Sequence, residues 1–437
     1  PQAGSDLSAV RTRAVPAAGG GHHLISGQKI FITYGDHDLT DNIIHLVLAR
    51  TPDAPPGVKG ISLFIVPKYL ADAQGDWKVR NAVETVSLEH KLGIHASPTA
   101  VLQYGSGEGG AIGYLVGEEN RGLMYMFTMM NLARHAVGVE GNGVAERAYQ
   151  QAAAFAAQRI QGRAADDTGA ERVPIIRHPD VKRLLLLQKC RIEALRALSL
   201  VVAASIDHAR RQPDARRRAR ARDLLDILTP VIKGYATEIG LENVSLALQV
   251  HGGMGFIEET GAAQHYRDQR ITTIYEGTTG IQAMDLTGRK LVGDGGAMNA
   301  RVIARIREEC AALGRDGAAW DDITAMADSM RPALHLLEAA AGSLVAAAAD
   351  DTALPAAVAE PYLRLWGVVA CGWLMLKAAA VSRARLAQGD DPFHRHKIRT
   401  ARFYFSAEMP KAAYLAEVIR TSAPLITEAD AGLFQVE

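Results

Sequence analysis

The chain is 437 residues long, 48% hydrophobic and 22% charged, ordinary proportions for a globular protein with room for two or three separately cored domains. Its 48 Lys and Arg balance 48 Asp and Glu, so no net charge favours nucleic acid, and an anionic ligand must be held by local groups. Cys190, Cys310 and Cys371 stand far apart without CxxC spacing, which argues against a disulfide framework or a cysteine zinc site and points to a reducing, cytoplasmic setting.

The chain opens on Pro1-Gln2-Ala3-Gly4-Ser5-Asp6 with no charged and apolar leader, and this start reads as the middle of a turn, with further residues expected before it. Short β-type runs follow at Gln28 to Tyr34, Ile43 to Ala49, Gly60 to Val66 and Thr99 to Gln103. Turn formers separate them at Gly20-Gly21, Pro55-Pro56-Gly57 and Gly105 to Gly110. The alternation of Ile44, Leu46 and Leu48 predicts strands with one buried face, and residues 1–117 read as an antiparallel β-barrel or sandwich.

Residues 118–293 carry a helical period instead, over Leu123 to Arg159, Pro179 to Ala209 and Leu224 to Val250, with Pro213 and its neighbouring arginines as a connector. Residues 294–437 form a further helical zone with an Ala-rich stretch from Leu336 to Ala349 and breakers at Gly389, Pro392 and Pro410. The fold class expected is α+β and multidomain: a β domain, a helical bundle and an additional helical domain. The apolar run Leu365 to Leu376 is closed by Arg364 and Lys377, too short for a bilayer core of roughly 30 Å, so no membrane association is expected.

Two segments concentrate chemistry: Gln249-Val250-His251-Gly252-Gly253-Met254-Gly255-Phe256 and Ile274-Tyr275-Glu276-Gly277-Thr278-Thr279-Gly280-Ile281-Gln282. The glycines end a long helix and permit close backbone approach. Thr279 with Gln282 fits a capping box, which puts Glu276 on a loop just before a helix whose first N–H groups are available to a phosphate. A carboxylate beside Ile274 and Tyr275 suits a general base of tuned pKa, although a plain helix-start role explains the same residues. His22-His23, His90 with His95, and His394 with His396 lack the cysteine or helical carboxylate partners of a metal site, so no metal is expected. The basic run Arg210 to Arg222 reads as a solvated helix face rather than a nucleic-acid surface, and no Walker or Rossmann glycine pattern occurs.

Taken together, these segments resemble the signature of acyl-CoA dehydrogenases. Gln2 to Asp6 is similar to the tail of that family's first flavin motif, and Lys29-Ile30-Phe31-Ile32-Thr33 to its flavin-lining strand. Asn131-Leu132-Ala133-Arg134 resembles the opening of its long helix, and Arg159-Ile160-Gln161-Gly162-Arg163 the turn that ends it. The matches run in family order from Pro1 to Gly293, and the helices beyond resemble a subgroup that includes 3-methylmercaptopropionyl-CoA dehydrogenases. The family's N-terminal helical domain, which forms much of the acyl pocket, would lie before Pro1.

The resemblance implies FAD as cofactor and oxidation of an acyl-CoA thioester to the trans-2-enoyl-CoA. Glu276 would remove the α-proton while its backbone N–H and a flavin hydroxyl hold the thioester oxygen. Thr33 would donate to flavin N5, the hydride acceptor, with Ile32 beside it and Phe31 over the ring, where many members carry tryptophan. Gly4, Ser5 and Thr278 would contact FAD within the subunit. Arg159, Gln161, Gln249, Gly252 and Gly253 would reach the FAD of a neighbouring subunit, hence a homodimer or dimer of dimers. Asn131, Arg134, Tyr275 and Gly277 would lie on the substrate side. Gly280 stands where many members have a longer polar residue. Electrons would pass to electron-transfer flavoprotein or a similar acceptor. An acyl-CoA oxidase and a DNA-associated flavoprotein of the alkylation-response branch share the fold. The latter carries a basic C-terminal domain, whereas residues 294–437 hold 15 Lys and Arg against 18 Asp and Glu.

Overall fold

The computed structural model describes residues 2–106, 109–165, 171–317 and 320–435, and the chain divides after Leu132 into two compact units. Two residues of the expected Gly105 to Gly110 turn lie outside the described residues.

In the first unit the described strands are β1 (Arg13–Pro16), β2 (His23–Thr33), β3 (Ile44–Ala49), β4 (Ser62–Pro67), β5 (Tyr69–Ala71), β6 (Trp77–Arg80), β7 (Val83–Leu88), β8 (Thr99–Tyr104) and β9 (Ala111–Leu115). They form an antiparallel sheet in the order β3-β4-β9-β2-β8-β7, with β1 on β2, while β5 and β6 pair separately. All four expected strands are present. The others are short or face solvent along much of their length, which blurs the period-two signal.

The burial of β3 is the reverse of the expectation. His45, Val47 and Ala49 face inward, and Ile44 and Leu46 are 51% and 45% exposed. Inside, Val47 and Ala49 join Ile25, Phe64, Val66, Leu102 and Tyr104 in the sheet core, and His45 Nδ1 meets the Tyr104 hydroxyl at 2.6 Å. Small side chains suit that side because Phe64 and Tyr104 already fill it. The outer apolar residues continue across the sheet in register, Leu46 opposite Ile65 and Ile65 opposite Tyr114.

The helices are α1 (Gly122–Gln158), α2 (Pro179–Arg211), α3 (Ala215–His251), α4 (Ala262–Arg270), α5 (Thr279–Met284), α6 (Ala297–Asp316), α7 (Asp321–Asp350), α8 (Ala353–Ala357), α9 (Ala359–Leu386), α10 (Pro392–Ala407) and α11 (Lys411–Glu428). The three long helices expected from periodicity are α1, α2 and α3. The connector between α2 and α3 is shorter than expected: Asp214 accepts the Arg217 N–H at 2.8 Å and caps α3, so Arg216 to Arg222 lie in its first turns. Pro230 is carried inside α3.

In the second unit, buried residues of α2, α3, α6, α7, α9, α10 and α11 form one cluster, so the sequence on both sides of position 294 shares a core. Its centre is α9, where Leu363, Leu365, Trp366 and Val369 are fully buried. Each such side chain contributes about 1.5–3 kcal/mol on burial. By length and composition α7 and α9 are apolar enough to cross a membrane, contrary to the expectation from the Leu365 to Leu376 run, but 78% of the apolar window of α9 lies inside this core.

Candidate active site

The expected site residues fall in both units, and each group is set by its own local backbone. In the first unit β2 slips register against β8 between Lys29 and Ile32, and Phe31 adopts φ +60°. That left-handed step is costly for an aromatic residue. It turns the Phe31 ring outward, 67% exposed, while Ile32 packs on the sheet core and Thr33 ends the strand with its side chain exposed. Gly4 and Ser5 are exposed just before a short turn that Asp6 caps through the Ser8 N–H at 2.8 Å. Lys29 is absent from the sequence-based site. Its Nζ donates to the Leu48 carbonyl at 2.9 Å, and burial pulls its ammonium down to about 8.

In the second unit Glu276 is half-buried on the loop before α5, with φ +54°, followed by Gly277 at φ +91°. Glycine adopts such a φ freely, but a left-handed glutamate holds only if its surroundings over-determine it. Gln282 Nε2 donates to the Glu276 carbonyl at 3.3 Å, and Lys233 Nζ of α3 donates to the Gly277 carbonyl at 2.5 Å. A Cβ at Gly277 would stand 2.4 Å from Gln282 Nε2, so any larger residue would displace that amide as well as adopt an unfavourable φ. Tyr275 donates its hydroxyl to Glu140 of α1. Burial, then this bond and the charges of Glu140 and Glu276, push the Tyr275 phenol well above its ordinary value.

The helix start differs from the expected capping box. Thr278, not Thr279, is the cap, accepting the Ile281 N–H at 3.3 Å. Thr279 instead donates to Glu238 at 2.6 Å, and α5 runs six residues before a π-helical turn, Asp285–Arg289. The first amides of α5 are thus partly occupied by the cap rather than all available to a phosphate. Thr279 turns inward because Glu238 of α3 offers a half-buried acceptor, leaving Thr278 at the boundary.

Arg134 is buried on α1 with a guanidinium nitrogen 3.9 Å from Asp285, and Lys290 lies 3.8 Å from the same carboxylate. Burial lowers the pKa of Arg134, while the charges of Asp285 and Glu276 oppose it. Burial likewise draws the Lys233 ammonium down to about 8, against the charges of Glu276 and Glu238. Arg134, Tyr275, Glu276 and Gly277 are therefore gathered with Glu140, Lys233 and Gln282 around one loop. Asn131 is exposed on the first unit's part of α1.

Arg159 and Gln161 form a second, exposed group after α1. Arg159 Nη2 donates to Gln161 Oε1 at 2.8 Å, and the backbone is pinned by Gln161 N–H to Val173 and Ile175 N–H to Arg159. Gln249 is exposed in the last turn of α3. Gly252 ends that helix at φ +58°, and a Cβ at Gly252 or Gly253 would meet nothing within 4 Å. The close approach expected of these glycines belongs to Gly255, where a Cβ would stand 2.6 Å from the Leu248 carbonyl. At Gly280 a Cβ would come no nearer than 3.9 Å, to Thr278, so a Cβ is accommodated there.

Residues 120–291 match the protein family described as Acyl-CoA dehydrogenase, C-terminal domain, and residues 302–430 match Acetyl-CoA dehydrogenase C-terminal like. A 3-methylmercaptopropionyl-CoA dehydrogenase of Ruegeria pomeroyi is 50% identical over 402 residues, covering 92% of this chain and 67% of that protein. A broad-specificity linear acyl-CoA dehydrogenase of Mycobacterium tuberculosis is 38% identical over 451 residues, covering 99% and 73%. Among solved structures, an acyl-CoA dehydrogenase complexed with FAD from Bacillus anthracis superposes with a TM-score of 0.73 at 21% identity, over 99% of this chain and 69% of that one. At that identity the likeness is one of fold.

Proposed function

The chain belongs to the acyl-CoA dehydrogenase family of oxidoreductases, and on that premise we propose that it oxidises an acyl-CoA thioester to the trans-2-enoyl-CoA with FAD, Glu276 serving as base. The observation that carries the reading is the left-handed Glu276-Gly277 turn, held from two sides and facing the charges of Arg134 and Lys233. Backbone strain of this kind persists where a side chain must be presented in one geometry.

The residues present fit a flavin. The Phe31 ring stands out from β2 as a flat apolar face, with the Thr33 hydroxyl exposed two residues on. The space beside Gly252 and Gly253 admits a phosphate or adenosine group against bare backbone. Gly4, Ser5, Phe31, Ile32, Thr33 and Thr278 would hold FAD within the subunit. Arg159, Gln161, Gln249, Gly252 and Gly253 would hold that of a second subunit in a homodimer or dimer of dimers. When bound, the flavin supplies a hydride acceptor for the β-hydrogen.

This chain's own part is the proton and the oxygen. The Glu276 carboxylate takes the α-proton, and its backbone N–H steadies the thioester oxygen as negative charge grows there. Arg134 and Lys233 set a positive field behind the carboxylate. Reducing equivalents would leave to an electron-transfer flavoprotein or similar acceptor, in the cytoplasm. Anaerobic mixing of FAD-loaded protein with acyl-CoA esters tests the reading, 3-methylmercaptopropionyl-CoA first because of the Ruegeria relative. Bleaching of the flavin with formation of enoyl-CoA is expected. No bleaching with any short, medium or long acyl-CoA would overturn it.

A further inference from the structure

Lys233 lies deep in the helical unit, 0% exposed, on a helix segment whose neighbours Val231, Ile232, Tyr235 and Ala236 are core residues. An ammonium in such a place is costly unless it is paired and hydrogen-bonded, and an apolar side chain of the same length would fill the volume without that penalty. Its Nζ is 2.5 Å from the carbonyl of Gly277, the residue directly after Glu276. Gln282 holds the preceding carbonyl, so the two bonds grip both peptide units of the left-handed turn.

Resting on the reading of Glu276 as base, we infer that Lys233 is a positioning residue: its buried ammonium grips the Gly277 carbonyl and holds Glu276 in the turn from which the carboxylate works. Without that grip the turn relaxes at Glu276, because a residue with a Cβ does not prefer the left-handed region enough to stay there alone, whereas Gly277 is at ease in it. A carboxylate displaced by about 1 Å can lose on the order of 10²-fold in rate, since proton abstraction depends on a near-attack geometry. Acyl-CoA binding, which rests on many other contacts, changes little.

The test uses the full protein carrying Lys233→Met, Lys233→Gln or Lys233→Arg, with Glu276→Gln alongside. For Lys233→Met we expect FAD and a non-oxidisable acyl-CoA analogue to bind within about threefold of the parent, with flavin reduction slowed about 10²-fold. Lys233→Arg and Lys233→Gln, which retain a donor for the Gly277 carbonyl, recover part of the rate. Hydrogen exchange in FAD-free Lys233→Met protein should quicken at residues 276–282 while α9 stays protected. If Lys233→Met fails to fold, the Gln and Arg variants carry the same comparison. Parental reduction rates and parental exchange in the folded variants overturn the inference. If Glu276→Gln still reduces its flavin normally, it is the base assignment that fails, whatever Lys233 does.

Discussion

The hydroxyl of Thr279 donates to Glu238 at 2.6 Å, and Arg364 of α9 approaches the same carboxylate at 3.6 Å. The first residue of the helix after Glu276 is thus tied to α3, and through α3 to the central helix of the core. Arg364 also meets Glu242 at 2.9 Å and Glu360 at 2.5 Å. The C-terminal helices therefore bear on the helix start after Glu276 through one hydrogen bond and a short chain of ion pairs.

Glu276→Gln keeps shape and polarity but removes the carboxylate proposed as the base. Flavin reduction by acyl-CoA should fall by about 10²–10⁴-fold, with FAD and ligand still bound. Anaerobic stopped-flow absorbance checks this. A helix-supporting role alone would leave the rate near that of the parent, because Gln can still hydrogen-bond.

Gly277→Ala places a Cβ 2.4 Å from Gln282 Nε2 at φ +91°. The substitution should cost about 1–3 kcal/mol in local strain and slow flavin reduction together with a lowered melting temperature. Gly253→Ala, where a Cβ meets nothing and φ is not positive, should leave the melting temperature unchanged.

Glu408 is fully buried and pairs with Arg191 at 3.1 Å and with Lys411 at 2.8 Å. Glu408→Gln leaves the buried Arg191 charge short of a partner, with only Glu242 at 3.3 Å remaining among the described carboxylates paired to it. We expect a loss of about 3–5 kcal/mol, read by urea denaturation. A midpoint equal to that of the parent would contradict the pairing.

Cys190, Cys310 and Cys371 are free and buried, and burial pushes the thiols of Cys190 and Cys310 up to about 12 and that of Cys371 higher still. Native protein at pH 8 should therefore resist a thiol reagent such as DTNB, and all three cysteines should react once urea unfolds it. Fast labelling of the native protein would count against this core.

If Arg159 serves the flavin of a second subunit, Arg159→Ala should weaken FAD binding by about tenfold or more, the loss of one charged hydrogen bond. Sedimentation should show a dimer or tetramer. A monomer holding a full complement of FAD would exclude the shared site.

The order of zones and the positions of α1, α2 and α3 were legible because long helices repeat their apolar residues many times, and the repeated 3.6-residue period averages out local exceptions. The loop character of Glu276 was legible too, since Thr279 with Gln282 marked a helix start just after it, although the cap itself is Thr278. What the chain could not reveal alone are choices between adjacent residues. Ile44, Leu46 and Leu48 look like the buried face of β3, yet the core takes Val47 and Ala49, because Phe64 and Tyr104 from other strands fill the space. Thr278 and Thr279 are equivalent caps on paper, and Glu238, 41 residues before Thr279, decides between them. Lys233 left no motif at all: a single lysine in an apolar helix becomes informative once folding sets its ammonium against the Gly277 carbonyl. Periodicity is a property of neighbours along the chain, whereas a buried hydrogen bond depends on which distant groups arrive at the same point, and that is decided by packing in three dimensions.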